Sequence, residues 1–566
     1  MHEIITLQLG QRSNYLATHF WNTQESYFTY TDSDADANSS TVDEVDHDVH
    51  FRPGIGADGT ETFTPRTVIY DLKGGFGSLR KINALYDMQE EGEGGSMPRG
   101  LWHGNVVVHK QDAIAQSAYQ QSLDTGIPPT APLKAETVRY WSDFNRVFYH
   151  PRSIIQLNDF ELNSRLMPFE RWDFGEELFA SLDKEHDILD RDFRLWAEEC
   201  DQLQGIQIVT GADDAWGGFA GKYVERLRDE FGKGAIWVWG IEDGSRAHRD
   251  KQLLRTINAA RSMHDISAQS SMYIPVSDPP IQLPAYVSVD RTSQWHTAGL
   301  LSIALESVTL QWRLRASNTR RWTMDDFEAA INVNGKQRIA KLECSVINPA
   351  LLEEQKRERG IKEASTADPR MPGRTTVPVT GTGTSPGTSS LLHDEAGLQA
   401  AKDASLKHLD MDFFVGHSSQ TNAPMPPGQR TRVGKESHVF GHMDSFRGEF
   451  ERASGEEGGG EAAYARKRRR IAGLPLVEKC YSSLCYPLLD SFPKIFSEWS
   501  DHTALVAVHS SLSTTSKVAE RVKSLQRVVG RMVGLDERET LSNGLGEIGE
   551  AYEDGWGSGS DSGDDI

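Results

Sequence analysis

Short apolar runs alternate with stretches whose apolar residues recur at helical spacing, and that order predicts the first elements. Ile4–Leu9 reads as a buried strand and Tyr15–Thr23 as a helix with Leu16 and Phe20 inward. Gly10–Asn14 is the turn between them, with Ser13 and Asn14 as cap candidates. Pro65–Asp71 is a second strand, followed by Gly74-Gly75-Phe76-Gly77 and a helix carrying Leu79, Ile82 and Leu85. The pattern is sharpest over Gly205–Ile241. Ile206, Ile208 and Val209 form one apolar run and Ala235–Trp239 another, with Tyr223, Val224, Leu227 and Phe231 at helical spacing between them. Strand, glycine loop and helix in succession predict an α/β fold on a mostly parallel sheet, with the loops after Gly10, Gly74 and Gly217–Gly221 on one edge, at the strands' carboxyl ends.

Further along, Gln111–Leu123 reads as a helix, Thr125–Pro132 as a hinge, and Trp141–Pro168 as aromatic packing between the halves. Phe174–Leu203 is helical, and Thr297–Arg313, apolar nearly all round, is a buried helix. From Leu351 the pattern breaks into a charged helix and a Pro/Thr/Gly/Ser tract, Ser365–Leu391, that reads as disordered. Asn422–Arg432 and Glu456–Glu461 read the same way. Leu474–Trp499, a strand at Leu505–His509 and an amphipathic helix at Lys517–Val533 resume a folded pattern, and Gly544–Ile566 reads as a disordered acidic tail. The expected parts are 1–124, 125–345, an insertion over 346–473, a smaller α+β C-terminal part over 474–543, and the tail over 544–566.

Composition narrows the function classes. Lys and Arg number 60 against 82 Asp and Glu, a net charge of −22 that argues against a general nucleic-acid binder and against docking on anionic lipid. Four cysteines without a CxxC pair fit a reducing compartment. No apolar run is long enough to span a bilayer, and MHEIITLQLG lacks the features of a secretory or mitochondrial leader, so a chain made in the cytosol is expected.

The glycine loop before a helix is where α/β proteins place phosphate, because backbone N–H groups and the positive helix end converge there. Here it carries Asp213, Asp214 and Trp216. A carboxylate repels a phosphate by about 4 kcal/mol per unit-charge pair at roughly 4 Å and an effective dielectric of about 20, although each Asp is also a potential Mg²⁺ ligand. Two readings stand: a phosphate cradle, or glycines serving close helix–strand packing. Elsewhere, Gly383–Gly387 satisfies G-x-S-x-G without the strand a nucleophile elbow needs. His438 and His442 lack a ligand set for metal. Arg466–Arg470 is a dense basic cluster, read as a solvated linker or as an import or acidic-partner contact.

EIITLQLGQRSNYLATHFWN resembles the first strand, nucleotide loop and first helix of tubulins, and PRTVIYDLKGG their strand ending in Asp-Leu. The closer likeness is to the Misato family of tubulin-related proteins. It rests on LQLG with HFWN, on DLKG at Asp71–Gly74, on Trp102-His103-Gly104 with His109, on WSDF at Trp141–Phe144 with HPRS at His150–Ser153, and on Asp213 with Gly218-Phe219-Ala220-Gly221. The tubulin resemblance implies nucleotide-facing positions at Gln11, Asp71, Gly74, Asp213 and Gly218, and makes Thr297–Arg313 the central helix. Departures matter. Tubulins carry a continuous Gly-Gly-Gly-Thr-Gly-Ser-Gly loop where this chain has Gly211–Gly218, and Lys73 replaces an acidic residue, either to neutralise phosphate or to pair with Asp71 or Asp214. The Misato resemblance implies mitochondrial partitioning and mitochondrial DNA inheritance, with a location at the mitochondrial outer surface and in the cytoplasm. The reading is a non-catalytic scaffold that binds cytoskeletal or mitochondrial-surface proteins, without cofactor, metal or nucleic acid. The competing reading is a GTP-binding, polymerising GTPase.

Overall fold

The computed structural model describes residues 2–29, 44–56, 59, 61–79, 114–127, 132–315, 321–348, 357, 409–414, 437–448, 450, 476–496, 499 and 504–553. The expected helix through Ile82 and Leu85, the Ser365–Leu391 tract, the G-x-S-x-G match and the basic cluster lie outside them.

The body is a six-stranded sheet of β1 (Glu3–Leu9), β4 (Thr67–Lys73), β5 (Ile154–Glu161), β6 (Leu203–Gly211), β7 (Ala235–Asp243) and β8 (Met272–Asp278), in the order β5-β4-β1-β6-β7-β8. Every pairing is parallel. All but β5 read as near-continuous apolar runs because helices cover both faces. The glycine loops after β1, β4 and β6 therefore share the carboxyl edge, as the strand-loop-helix pattern requires. A hairpin, β2 (Phe51–Ile55) and β3 (Glu61–Pro65), precedes β4.

The helices in chain order are α1 (Gln11–Glu25), α2 (Ala118–Thr125), α3 (Trp172–His186), α4 (Arg194–Glu198), α5 (Ala215–Glu230), α6 (Arg249–Gln269), α7 (Gln294–Thr309), α8 (Met324–Ile331), α9 (Lys517–Met532) and α10 (Leu535–Glu550). One core face of the parallel sheet meets α1 and α7, the other α3, α5 and α6. α7 is buried along nearly its whole length, which is why its sequence shows no polar stripe.

A second, mixed sheet runs β10 (Met411–Asp412), β9 (Lys341–Ile347), β14 (Leu505–Thr515), β11 (Val439–Arg447), β12 (Leu476–Ser482), with β13 (Tyr486–Pro487) on β14. It packs on α7 from the side opposite the parallel sheet, and Glu306 of α7 ties the end of α1 to β11. The Glu306 carboxylate receives Arg313 at 2.7 Å, Gln24 at 3.1 Å and Tyr27 at 3.0 Å, and pairs with Arg447 of β11. Glu306, Arg313 and Arg447 are all buried. Burial lowers the Arg313 guanidinium to about 9.

Several expectations change. α1 begins at Gln11, with Gly10 as its N-cap residue, so Ser13 and Asn14 lie inside the helix rather than capping it. Residues 114–117 are not helical, and α2 starts only at Ala118. The segment expected as an insertion contains β10 and the interior strand β11, whose polar side chains are buried because they are paired. In β11, Asp444 accepts from His442 and His509 at 2.9 Å each, so His442 does have a nearby carboxylate. Among the described residues no cluster has the geometry to hold a metal ion, and no helix is long and apolar enough to cross a membrane. The acidic tail begins later than Gly544, because Gly544–Glu550 completes α10 with Leu545 buried and Gly546 and Gly549 set close to Gln526 and Val522 of α9.

Candidate functional site

The carboxyl edge of the parallel sheet holds a cleft of about 350 Å³, lined among others by Gln11, Arg12, Asn163, Phe169, Asp213, Asp214, Trp216, Lys251 and Arg255. Its floor is the junction of β1 with α1 and of β6 with α5. Gly10 turns the chain there with φ of 87°, and a Cβ on it would overlap the Trp216 indole. Only glycine permits both the turn and the contact. Trp216 is 6% exposed and packs edge-on to Phe169 and Phe219, with ring centroids 5.2 and 5.7 Å away.

Asp214 occupies the N-cap of α5, and its own carboxylate accepts the Trp216 N–H at 2.9 Å. The position where a helix N-terminus would receive phosphate is thus served by a side chain of the chain itself. Burial pushes the Asp214 carboxyl up, opposed by Arg12 and reinforced by Asp213. Asp213 accepts Arg12 at 2.7 Å and the Asp243 N–H at 3.0 Å. Arg12 also reaches Asp243 at 2.9 Å, and Arg255 closes the set on Asp243. Burial alone would lower the Arg12 pKa, but Asp213, Asp214 and Asp243 more than reverse it, so the guanidinium stays charged. The cations that line the cleft, Arg12, Lys251 and Arg255, are already bound to carboxylates.

Asp71 is fully buried beneath this layer, receiving Gln11 at 2.6 Å, Asn14 at 2.7 Å and the Leu72 N–H at 2.8 Å. Gln11 also donates to the Gly75 carbonyl at 2.7 Å. Asp278, at the end of β8, accepts from Thr297 at 3.0 Å, and its second oxygen has no partner. Burial pushes Asp71 and Asp278 each up to about 7.

A "Misato Segment II tubulin-like domain" model matches residues 2–125, and a "Tubulin domain" model matches residues 130–314. Full-length relatives include "Protein dml1" of Aspergillus niger, 46% identical over 567 residues and 100% of both chains. "Protein dml-1" of Neurospora crassa is 48% identical over 577 residues, again covering 100% of both. The chain belongs to the Misato family of tubulin-related proteins. A more distant relative, "Protein DML1" of Yarrowia lipolytica, is 32% identical over 355 residues, 60% of this chain and 70% of its own.

Within this Misato fold the residues singled out in the sequence separate. Gln11 and Asp213 line the cleft, Asp71 lies under it, and Gly74 turns the chain after β4 with φ of 85°. Gly218 faces away: a Cβ there would overlap the Trp172 carbonyl of α3, so its lack of a side chain serves helix–helix packing rather than the expected helix–strand contact. Lys73 is exposed and pairs with neither Asp71 nor Asp214. Sequence reasoning missed Arg12, Asp243, Arg255 and Asp278. The one available signal was the Asp closing each of β7 and β8 at the same edge.

The raised carboxyls give a pH dependence of known sign. Between an unfolded value near 4 and about 7, the native Asp71 and Asp278 hold protons that the unfolded chain has lost, so stability falls as pH rises through that window. The midpoint of thermal unfolding is expected to be higher at about pH 5.5 than at about pH 8, and Asp278→Asn to flatten the slope. Scanning calorimetry across that range checks it.

Proposed function

We propose that this Misato-family chain is a non-catalytic, tubulin-like scaffold that acts in the partitioning of mitochondria and the inheritance of mitochondrial DNA, working at the mitochondrial outer surface and in the cytoplasm through protein partners. The observation that carries the non-catalytic part is the filled phosphate position: Asp214 caps α5, Trp216 covers Gly10, and Arg12 is held between Asp213 and Asp243. A bound triphosphate would need that arrangement dismantled, at the cost of freeing buried charges. The mitochondrial part rests on family membership and on the likeness of LQLG, HFWN, DLKG and HPRS to that family. The GTPase reading has less support, since Gln11 is committed to Asp71 and Gly75.

Two measurements test the proposal. Acid release of nucleotide from purified protein followed by chromatography is expected to yield none, and GTP hydrolysis with Mg²⁺ is expected at background. Stoichiometric guanine nucleotide, or Mg²⁺-dependent hydrolysis that vanishes when Asp213 and Asp214 are both replaced by Asn, would move the chain to the GTPase class. Separately, organelle fractionation is expected to place the chain on mitochondria in a protease-accessible state. Recovery only in nuclei would defeat the mitochondrial reading.

A further inference from the structure

α9 buries Val518, Val522, Leu525 and Val529 and turns the opposite face outward. On that outer face Lys523, Arg527 and Arg531 follow at four-residue spacing, the geometry that lines side chains into one stripe. Lys523 pairs with Glu553, but among the described residues Arg527 and Arg531 have no carboxylate partner. Arg527 and Arg531 stand one turn apart on the same exposed face, a local positive stripe on a chain of net charge −22. α10 runs back beside α9, with Gln526 donating to the Ser542 carbonyl at 2.8 Å, and a shallow cleft between them is lined by Lys523, Gln526, Arg527 and Ser542.

The Lys523–Glu553 pair also fixes where the rest of the chain starts. The 13 residues after Glu553, DGWGSGSDSGDDI, carry Asp554, Asp561, Asp564 and Asp565 and no Lys or Arg. They leave α10 at the amino end of the stripe. Extended, they reach about 40 Å, whereas Lys523 to Arg531 spans only about 12 Å along the helix.

We propose that the Lys523–Arg527–Arg531 stripe is a docking surface for acidic peptide, and that its occupant in the isolated protein is the chain's own segment Asp554–Ile566. Tethering at Glu553 sets an effective concentration in the millimolar range, enough for weak ion pairing to hold the segment down at low salt. An acidic partner reaches the stripe only by displacing that segment, so the segment acts as a competitor built into the fold.

The test uses the full chain and an endoproteinase that cuts before aspartate, following loss of the fragments that begin at Asp561 and Asp564 by intact mass. Arg527→Glu with Arg531→Glu removes the stripe while leaving Lys523 to anchor the end of α10. At low ionic strength the unmodified chain is expected to lose these fragments roughly five-fold more slowly than the double variant, and about 0.5 M salt to abolish the difference. Arg527→Gln with Arg531→Gln, a gentler change, is expected to lie between the two, and unchanged thermal midpoints exclude misfolding as the cause. Equal cleavage rates at low salt overturn the proposal. Protection that strengthens with protein concentration overturns it too, by assigning the stripe to the segment of a second copy.

Discussion

Replacing Glu306 with alanine is expected to destabilise the protein by about 3–5 kcal/mol, because it leaves two buried guanidinium groups without their shared anion. Arg313 and Arg447 lie within the protein with almost no exposure, and each also donates to backbone carbonyls that hold it in place. They cannot swing to water without unpacking α7 from β11. Glu306→Gln keeps the shape and some of the hydrogen bonds while removing the charge, and is expected to lose less. Denaturant titration, with the midpoint and slope compared across the three chains, checks the order. A Glu306→Ala chain within about 1 kcal/mol of the parent would mean that the carboxylate does not hold α1 and α7 to β11.

The second large effect concerns the cleft. Trp216→Ala is expected to lower stability by about 3–5 kcal/mol through lost burial and the cavity left between Phe169, Phe219 and Gly10. Gly10→Ala should be damaging for a related reason, since its new methyl group enters the indole's space on a backbone at positive φ. The two changes are not independent. In the double variant the overlap is relieved and only the backbone strain persists, so the combined loss is expected to fall short of the sum of the singles. Simple additivity in a double-mutant cycle would remove Trp216 from the floor of the cleft.

Much of this fold was legible where local pattern and tertiary burial agree. β1, β4, β6 and β7 are apolar runs followed by glycine loops or helices, and α7 carries the all-round apolar signature of a helix with both sides covered. β5 was not legible, because its carboxyl half is exposed and polar at Asn158, Asp159 and Glu161 and shows no apolar run. β11 was missed because VFGHMDSFR looks like a loop until His442 and Arg447 find Asp444 and Glu306. The same holds for the cleft. Asp213 and Asp214 were visible as an obstacle to phosphate, but Arg12 and Asp243, which make that obstacle stable, are 231 positions apart in the sequence. Charge pairing over such separations leaves no periodic trace. Gly218 was legible as a constrained position with two readings, ligand contact or close packing, and what its missing side chain admits is the neighbouring helix α3 rather than a strand.

The order β5-β4-β1-β6 has a consequence for how the chain is made. β1 and β4 come from the first 73 residues and pair with each other, yet their outer neighbours, β6 and β5, come from Leu203–Gly211 and Ile154–Glu161. At about 5–20 residues per second of synthesis, β1 waits roughly 10–40 s for its second partner to leave the ribosome. During that interval two apolar strands present unpaired edges that only distant sequence can close. A fragment ending between the two matched family segments would keep those edges permanently. The N-terminal segment is therefore expected to be an obligate client of holding chaperones until residue 211 emerges, and to aggregate when expressed alone.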